Sequence, residues 1–234
     1  MDRNRNVSIV SLIRILEDMA ILQSEEVGYG LDFYENEKVG WMLSRWKITI
    51  NRIPRFKEKI RVVTRPQAMN KYYANRLYWV YDQNNNLLVE AATLWIFFNT
   101  EKRRPQAVSQ QITDAYAGSD RNSYPFTKLD EIEETGEPQF SKEYSVNSDA
   151  IDTNNHVNNS QYFFWAIDAI PANEIAEYDI SEISVNYLKE TNENEKILSL
   201  ISMTQSPDGI ITKHSLKSGD KETCRLIISW KKKA

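Results

Sequence analysis

This chain passes through one order of elements twice, and that constrains its fold more than any other feature. Ile9, Leu12, Ile13, Leu16, Met19 and Ala20 recur at helical spacing, so the first element is an amphipathic helix. Gly28 and Gly30 follow it as stop signals. Extended runs come next: Trp41 to Ile50, closed by Pro54; Lys59 to Arg65, closed by Pro66; Tyr72 to Tyr81; and Leu87 to Phe98. The last two flank Asp82-Gln83-Asn84-Asn85-Asn86, which reads as a hairpin turn. The second pass opens with a helix from about Asn159 to Ile170, stopped by Pro171. Strands follow over Ile180 to Lys189, Ile197 to Gln205, Ile210 to Leu216 and Thr223 to Trp230, with a turn at Ser218-Gly219-Asp220. Leu88 to Trp95 can be laid over Thr223 to Trp230 at an offset of 135 (230 − 95).

A helix followed by a run of mostly antiparallel strands argues an α+β class. With each helix wrapped by its sheet, and the unit present twice, the expected architecture is a double hotdog. The expected organisation is residues 1–115 as the first unit, 116–138 as a polar, acidic linker, and 139–234 as the second unit. Both histidines, His156 and His214, fall in the second unit, which confines any histidine chemistry there.

Composition removes several function classes. Across 234 residues the net charge is −4, whereas a general nucleic-acid binder is expected to be basic. A single cysteine, Cys224, allows neither an internal disulfide nor a Cys-rich zinc site and fits a reducing compartment. The apolar stretch near the N-terminus is interrupted by Arg14, Glu17 and Asp18, unlike a signal peptide or membrane span. A cytoplasmic location is therefore expected. No metal and no cofactor are expected, because His156 and His214 lack the short spacing of a helical metal pair. His214, between Lys213 and Ser215, reads as an exposed strand histidine.

The densest chemistry lies in Asp152-Thr153-Asn154-Asn155-His156-Val157-Asn158-Asn159. Runs rich in Asn and Asp are most often turns and helix caps. Asp152, Asn154 and His156 also stand at alternate positions. In an extended segment they would share one face, beside a helix N-terminus whose free N–H groups favour negative charge.

Taken together, these residues resemble the acyl-acyl-carrier-protein thioesterases of plants and bacteria. The likeness rests on the 152–159 motif with Tyr162 and Trp165, and on Val185-Asn186-Tyr187-Leu188-Lys189-Glu190. It rests also on Trp41 to Trp46, on Arg52-x-Pro54-Arg55-Phe56, and on Trp95 to Asn99 leading to Arg103-Arg104. The resemblance implies hydrolysis of the thioester joining a fatty acyl chain to acyl carrier protein, and it carries over Asp152, Asn154, His156 and Glu190 as the catalytic residues. In that reading Glu190 activates water and His156 orients it. Asn154 polarises the thioester oxygen with a backbone N–H near Val157 or Asn158, and Asp152 holds the loop. The chain departs from plant members where their glutamate is followed by cysteine, since Thr191 stands at that position. A cysteine nucleophile is therefore not expected.

Acyl carrier protein is the implied partner, and because it is acidic it would need a local basic patch. Arg52, Arg55, Lys57, Lys59, Arg61 and Arg65 cluster, as do Lys71 with Arg76 and Lys102 with Arg103 and Arg104. A monomer or a homodimer is allowed. Competing readings are an acyl-CoA thioesterase, a hotdog hydratase or dehydratase, and a non-enzymatic acyl-binding module. The hydratase spacing and the dehydratase His-Phe-Pro signature are both absent.

Overall fold

A computed structural model describes residues 5–117, 126–152 and 156–233. Helix α1, Ile9–Glu26, begins where the Ser8 hydroxyl accepts from the Ser11 N–H, a side-chain N-cap. It buries Leu12, Ile13, Leu16 and Ala20. Gly28 then takes φ +80°, and the Tyr29 N–H returns to the Ser24 carbonyl at 2.9 Å, the glycine-dependent stop anticipated from sequence. Gly30 caps a short second helix, α2, Leu31–Glu37.

Four strands follow: β1 Val39–Ile50, β2 Ile60–Asn70, β3 Tyr73–Asp82 and β4 Leu87–Asn99. After them come the two-residue β5, Arg104–Pro105, and helix α3, Gln110–Ala117. The second half holds β6 Phe140–Ser145, a 3-10 turn at Ser148–Ala150, α4 Asn159–Asp168, α5 Ala172–Ile175, and strands β7 Tyr178–Tyr187, β8 Lys196–Ser206, β9 Gly209–Ser218 and β10 Lys221–Lys232. The strands join into one sheet in the order β2-β3-β4-β1-β7-β10-β9-β8-β6, with β5 paired to β4. Every pairing is antiparallel.

The order is symmetric about the β1·β7 ladder, so β1 to β4 correspond to β7 to β10. Lys47 faces Ser184 at the middle of that ladder. Ala92 lies opposite Lys47 and Ile227 opposite Ser184, an offset of 135 (227 − 92), the value read from the sequence. Helices α1 and α4 lie in the concavity. Their apolar faces pack with Trp46 and Ile48 of β1 and Ile183 and Val185 of β7 in one continuous core. A bulge between Leu43 and Arg45 shifts the inward positions of β1 from odd to even numbers, from Leu43 to Trp46, Ile48 and Ile50. The fold is the expected α+β double hotdog.

One expectation is corrected here. Pro66 does not end its strand, because β2 is the edge of the sheet and continues through a register shift between Pro66 and Met69. A missing N–H on an outer edge breaks no ladder bond. Helix α3 closes the first half, and from residue 126 the described chain is strapped over the sheet. Asn75 accepts from the Thr127 N–H at 2.7 Å, Arg45 donates to the Leu129 carbonyl, and Arg225 donates to the Ile132 carbonyl at 3.0 Å. Leu129 and Ile132 are buried beneath it.

Candidate active site

Of the motif, Asp152 and His156 to Asn159 are among the described residues. Ile151 and Val157 form an antiparallel bridge. Inside it the Asp152 N–H donates to the His156 carbonyl at 2.8 Å, and the His156 N–H reaches the Asp152 carboxylate at 3.4 Å. Asp152 and His156 are thus joined as the two ends of a closed loop. Asn154 lies outside the described residues. Asn158 caps α4, its side-chain oxygen accepting from the Ser160 N–H at 2.9 Å.

This loop is tied to the end of β7. The Val157 N–H donates to the Thr191 carbonyl at 3.0 Å, and the Asn158 N–H donates to the Ala150 carbonyl at 2.8 Å. One of these backbone donors was expected to face a thioester oxygen, and both are engaged in holding the loop. The tie brings Glu190 next to His156: Oε2 of Glu190 is 3.4 Å from Nε2 of His156. Each side chain keeps about a third of its surface exposed, 35% and 32%, so substrate and water can reach both. The same carboxylate oxygen accepts from Nη2 of Arg103 at 2.7 Å. Arg103 comes from the turn between β4 and β5, in the first half of the chain. Sequence reading placed it in a family-like stretch and a basic cluster but gave it no site role, because nothing local marks a residue 87 positions from its partner.

Thr191, at the position of the plant cysteine, is fully buried. Its hydroxyl accepts from the Tyr162 hydroxyl at 2.9 Å, which turns it into the core. Cys224 is also fully buried, and burial pushes its thiol well above the usual range; a neutral, enclosed thiol is a poor nucleophile. His214 is corrected from exposed to fully buried. Lys213 is only half-buried, whereas His214 is enclosed with its Nε2 2.9 Å from the Thr212 hydroxyl. Burial lowers its pKa to about 3, so it is neutral and structural.

The first half contributes a second residue. Glu17 of α1 accepts from the Asn159 side chain at 3.1 Å, and Arg14 donates to the Ser160 hydroxyl at 3.1 Å; α1 therefore holds the first turn of α4. Burial raises the Glu17 pKa to about 7, against the lowering effect of the Asn159 bond, with Asp18 and Asp152 adding to the rise and Arg14 opposing it. Its signal in the sequence is faint: Glu17 stands four residues after Ile13 and three before Ala20, on the flank of the apolar stripe.

Two family profiles match this chain: the acyl-ACP thioesterase N-terminal domain over residues 1–116 and the acyl-ACP thioesterase C-terminal domain over residues 133–232. The chain belongs to the acyl-ACP thioesterase family. Among curated relatives, the oleoyl-acyl carrier protein thioesterase 2, chloroplastic, of Arabidopsis thaliana is 21% identical over 227 residues, which covers 90% of this chain and 61% of that protein. The palmitoyl-acyl carrier protein thioesterase, chloroplastic, of Cuphea hookeriana is 21% identical, covering 88% and 52%. The chain thus spans about half to three-fifths of the length of the curated relatives it matches. A solved structure from Lactobacillus plantarum, provisionally assigned as an oleoyl thioesterase, superposes with a TM-score of 0.93 at 25% identity, covering 100% of this chain and 92% of that one. The 12:0-ACP thioesterase from Umbellularia californica shares the fold, with a TM-score of 0.81 at 20% identity and coverage of 100% and 93%.

Proposed function

We propose that this family member hydrolyses fatty acyl thioesters carried on acyl carrier protein, releasing the free fatty acid. The observation that carries the reading is the approach of Glu190 to His156 at 3.4 Å, made by two elements tied together through Val157 and Thr191. Glu190 takes a proton from water as the water oxygen bonds to the thioester carbon. The carbonyl electron pair moves onto oxygen, and collapse expels the thiolate. A thiol with a pKa of roughly 8–9 leaves readily, so little acid assistance is needed. His156 orients the water, Asp152 closes the loop that carries His156, and Asn154 is assigned to polarise the carbonyl. With Thr191 and Cys224 both buried, water is the nucleophile.

Carrier docking falls to surface cations. Arg76 is excluded from that role because it is buried and donates to Gln23 at 2.8 Å. Arg52 is taken by Glu58 at 2.6 Å. Arg55, Lys57 and Lys59, beside the half-exposed Phe56, are the proposed docking cations.

The test is fatty acid release from a panel of chain lengths, each on acyl carrier protein and on CoA. The wild-type protein is expected to favour the carrier protein, and Glu190→Gln to lose at least about 100-fold in kcat, within the range for a positioned general base. Faster release from CoA would keep the chemistry and replace the partner. Full activity in Glu190→Gln would overturn the assignment of the base.

A further inference from the structure

The geometry points to Arg103 as a catalytic residue, the donor that binds the thioester oxygen as it becomes an oxyanion, so that the two halves of the chain share one active site. The inference rests on the reading of Glu190 as the base. Three observations lead to it. The Val157 and Asn158 N–H groups are already committed to the Thr191 and Ala150 carbonyls, so they are not available to a developing oxyanion. Arg103 approaches Glu190 through Nη2 alone at 2.7 Å. A guanidinium carries five N–H donors in a rigid fork, so this one contact does not use up its capacity to donate. The turn bearing Arg103 is also built rather than loose. The buried Asn99 accepts from the Lys102 N–H at 2.7 Å and donates to Gln106 at 3.0 Å, and Arg103 itself sits at φ +48°.

The movement of charge explains why an arginine beside the base helps rather than hinders. Before reaction the negative charge is on Glu190, and Arg103 pairs with it. In the transition state the water proton passes to Glu190, the new C–O bond forms, and the carbonyl electron pair becomes an oxyanion. The negative charge thus leaves the carboxylate and appears on the substrate a few ångströms away. A guanidinium that touches the base can follow it by shifting its fork, without a new cation being brought in. Donors aimed at charge that develops in the transition state are the ones that lower the barrier. When the tetrahedral intermediate collapses, the pair returns to form the carbonyl of the acid, the C–S bond breaks, and the thiolate takes the proton from Glu190. The carboxylate and its partner are restored.

The measurement compares wild-type, Arg103→Ala, Arg103→Lys and Glu190→Gln on three thioesters of one acyl chain: on acyl carrier protein, on CoA, and on N-acetylcysteamine, which has no phosphate. Arg103→Ala is expected to lower kcat by about 100- to 1,000-fold, the usual cost of one oxyanion donor, on all three substrates with little change in KM. Free guanidinium ion added to Arg103→Ala should restore part of kcat, and Arg103→Lys should lie between the two. A rise in KM confined to the phosphate-bearing substrates would make Arg103 a docking residue and overturn the inference. An increase in kcat would make it a brake on Glu190 and overturn it equally. If Glu190→Gln is as active as wild type, it is the assignment of the base that fails, whatever Arg103 does.

Discussion

Glu17 shows how one buried carboxyl can govern the response of the protein to pH. Its pKa is raised by burial from 4.5 to about 7, so the native state favours the protonated form. Below about pH 4.5 the group is protonated whether the chain is folded or not, and it costs nothing. Between 4.5 and 7 the unfolded chain gives up this proton first, and stability falls as pH rises. Above about 7 the loss is complete, at about 3 kcal/mol by linkage. His214 works in the opposite sense: with its pKa lowered to about 3, its contribution is complete above 6.5 and is lost as pH falls toward 3. The two slopes oppose each other between 4.5 and 6.5, and only that of Glu17 remains above. Glu17→Gln keeps an oxygen for Asn159 and removes the titration. Urea midpoints for the variant should match wild type near pH 4.5 and exceed it at pH 8; parallel curves would sink the assignment. At this scale the sequence was partly legible. The motif pointed to Asp152, His156 and Glu190, which the fold brings together, whereas the contacts of Glu17 and Arg103 are with the other half of the chain.

At the scale of elements, the periodic apolar runs were readable because each strand or helix buries one face. The exceptions share a cause. Strand β6, with its burial confined to Phe140 and Tyr144, is an edge strand paired only to β8, and it needs no alternating apolar pattern. Helix α3 buries only Ile112 and Tyr116, in a small cluster with Val39 and Phe97, so its sequence shows no helical apolar stripe. The start of α4 was legible as a cap signal, and it carries the next prediction. Asn158 both caps the helix and follows the His156 loop. Asn158→Ala should therefore cost about 1 kcal/mol of stability, and kcat should fall because Val157 and His156 lose a fixed neighbour. Thermal melting and steady-state kinetics on the same preparation check both. Lost stability with unchanged kcat would show that the loop is held by its backbone bonds to the Thr191 and Ala150 carbonyls.

For the whole molecule, the decisive feature is that the halves meet through a strand ladder rather than across a hinge. β1 and β7 pair from Arg45↔Asn186 to Thr49↔Glu182, and Ile48 faces Ile183 with both side chains fully buried. Helices α1 and α4 share that core. Neither half can open along this seam without exposing apolar surface and a row of backbone donors and acceptors, each costly when left unpaired. The duplicated order in the sequence revealed two similar units but not this join, because pairing between β1 and β7 leaves no mark in either strand alone. Shared burial predicts shared unfolding. Ile183→Ala removes side-chain volume from the join and should destabilise the protein by about 2–5 kcal/mol. Urea unfolding of this variant should stay a single transition with an unchanged slope, and far-UV circular dichroism and tryptophan fluorescence should coincide. Trp41, Trp46, Trp79 and Trp95 report on the first half and Trp165 and Trp230 on the second. If the halves were energetically separate, the second half would melt first and the fluorescence would change in two steps. A single step would place both contributions to the candidate site, His156 with Glu190 from one half and Arg103 with Glu17 from the other, inside one cooperative unit.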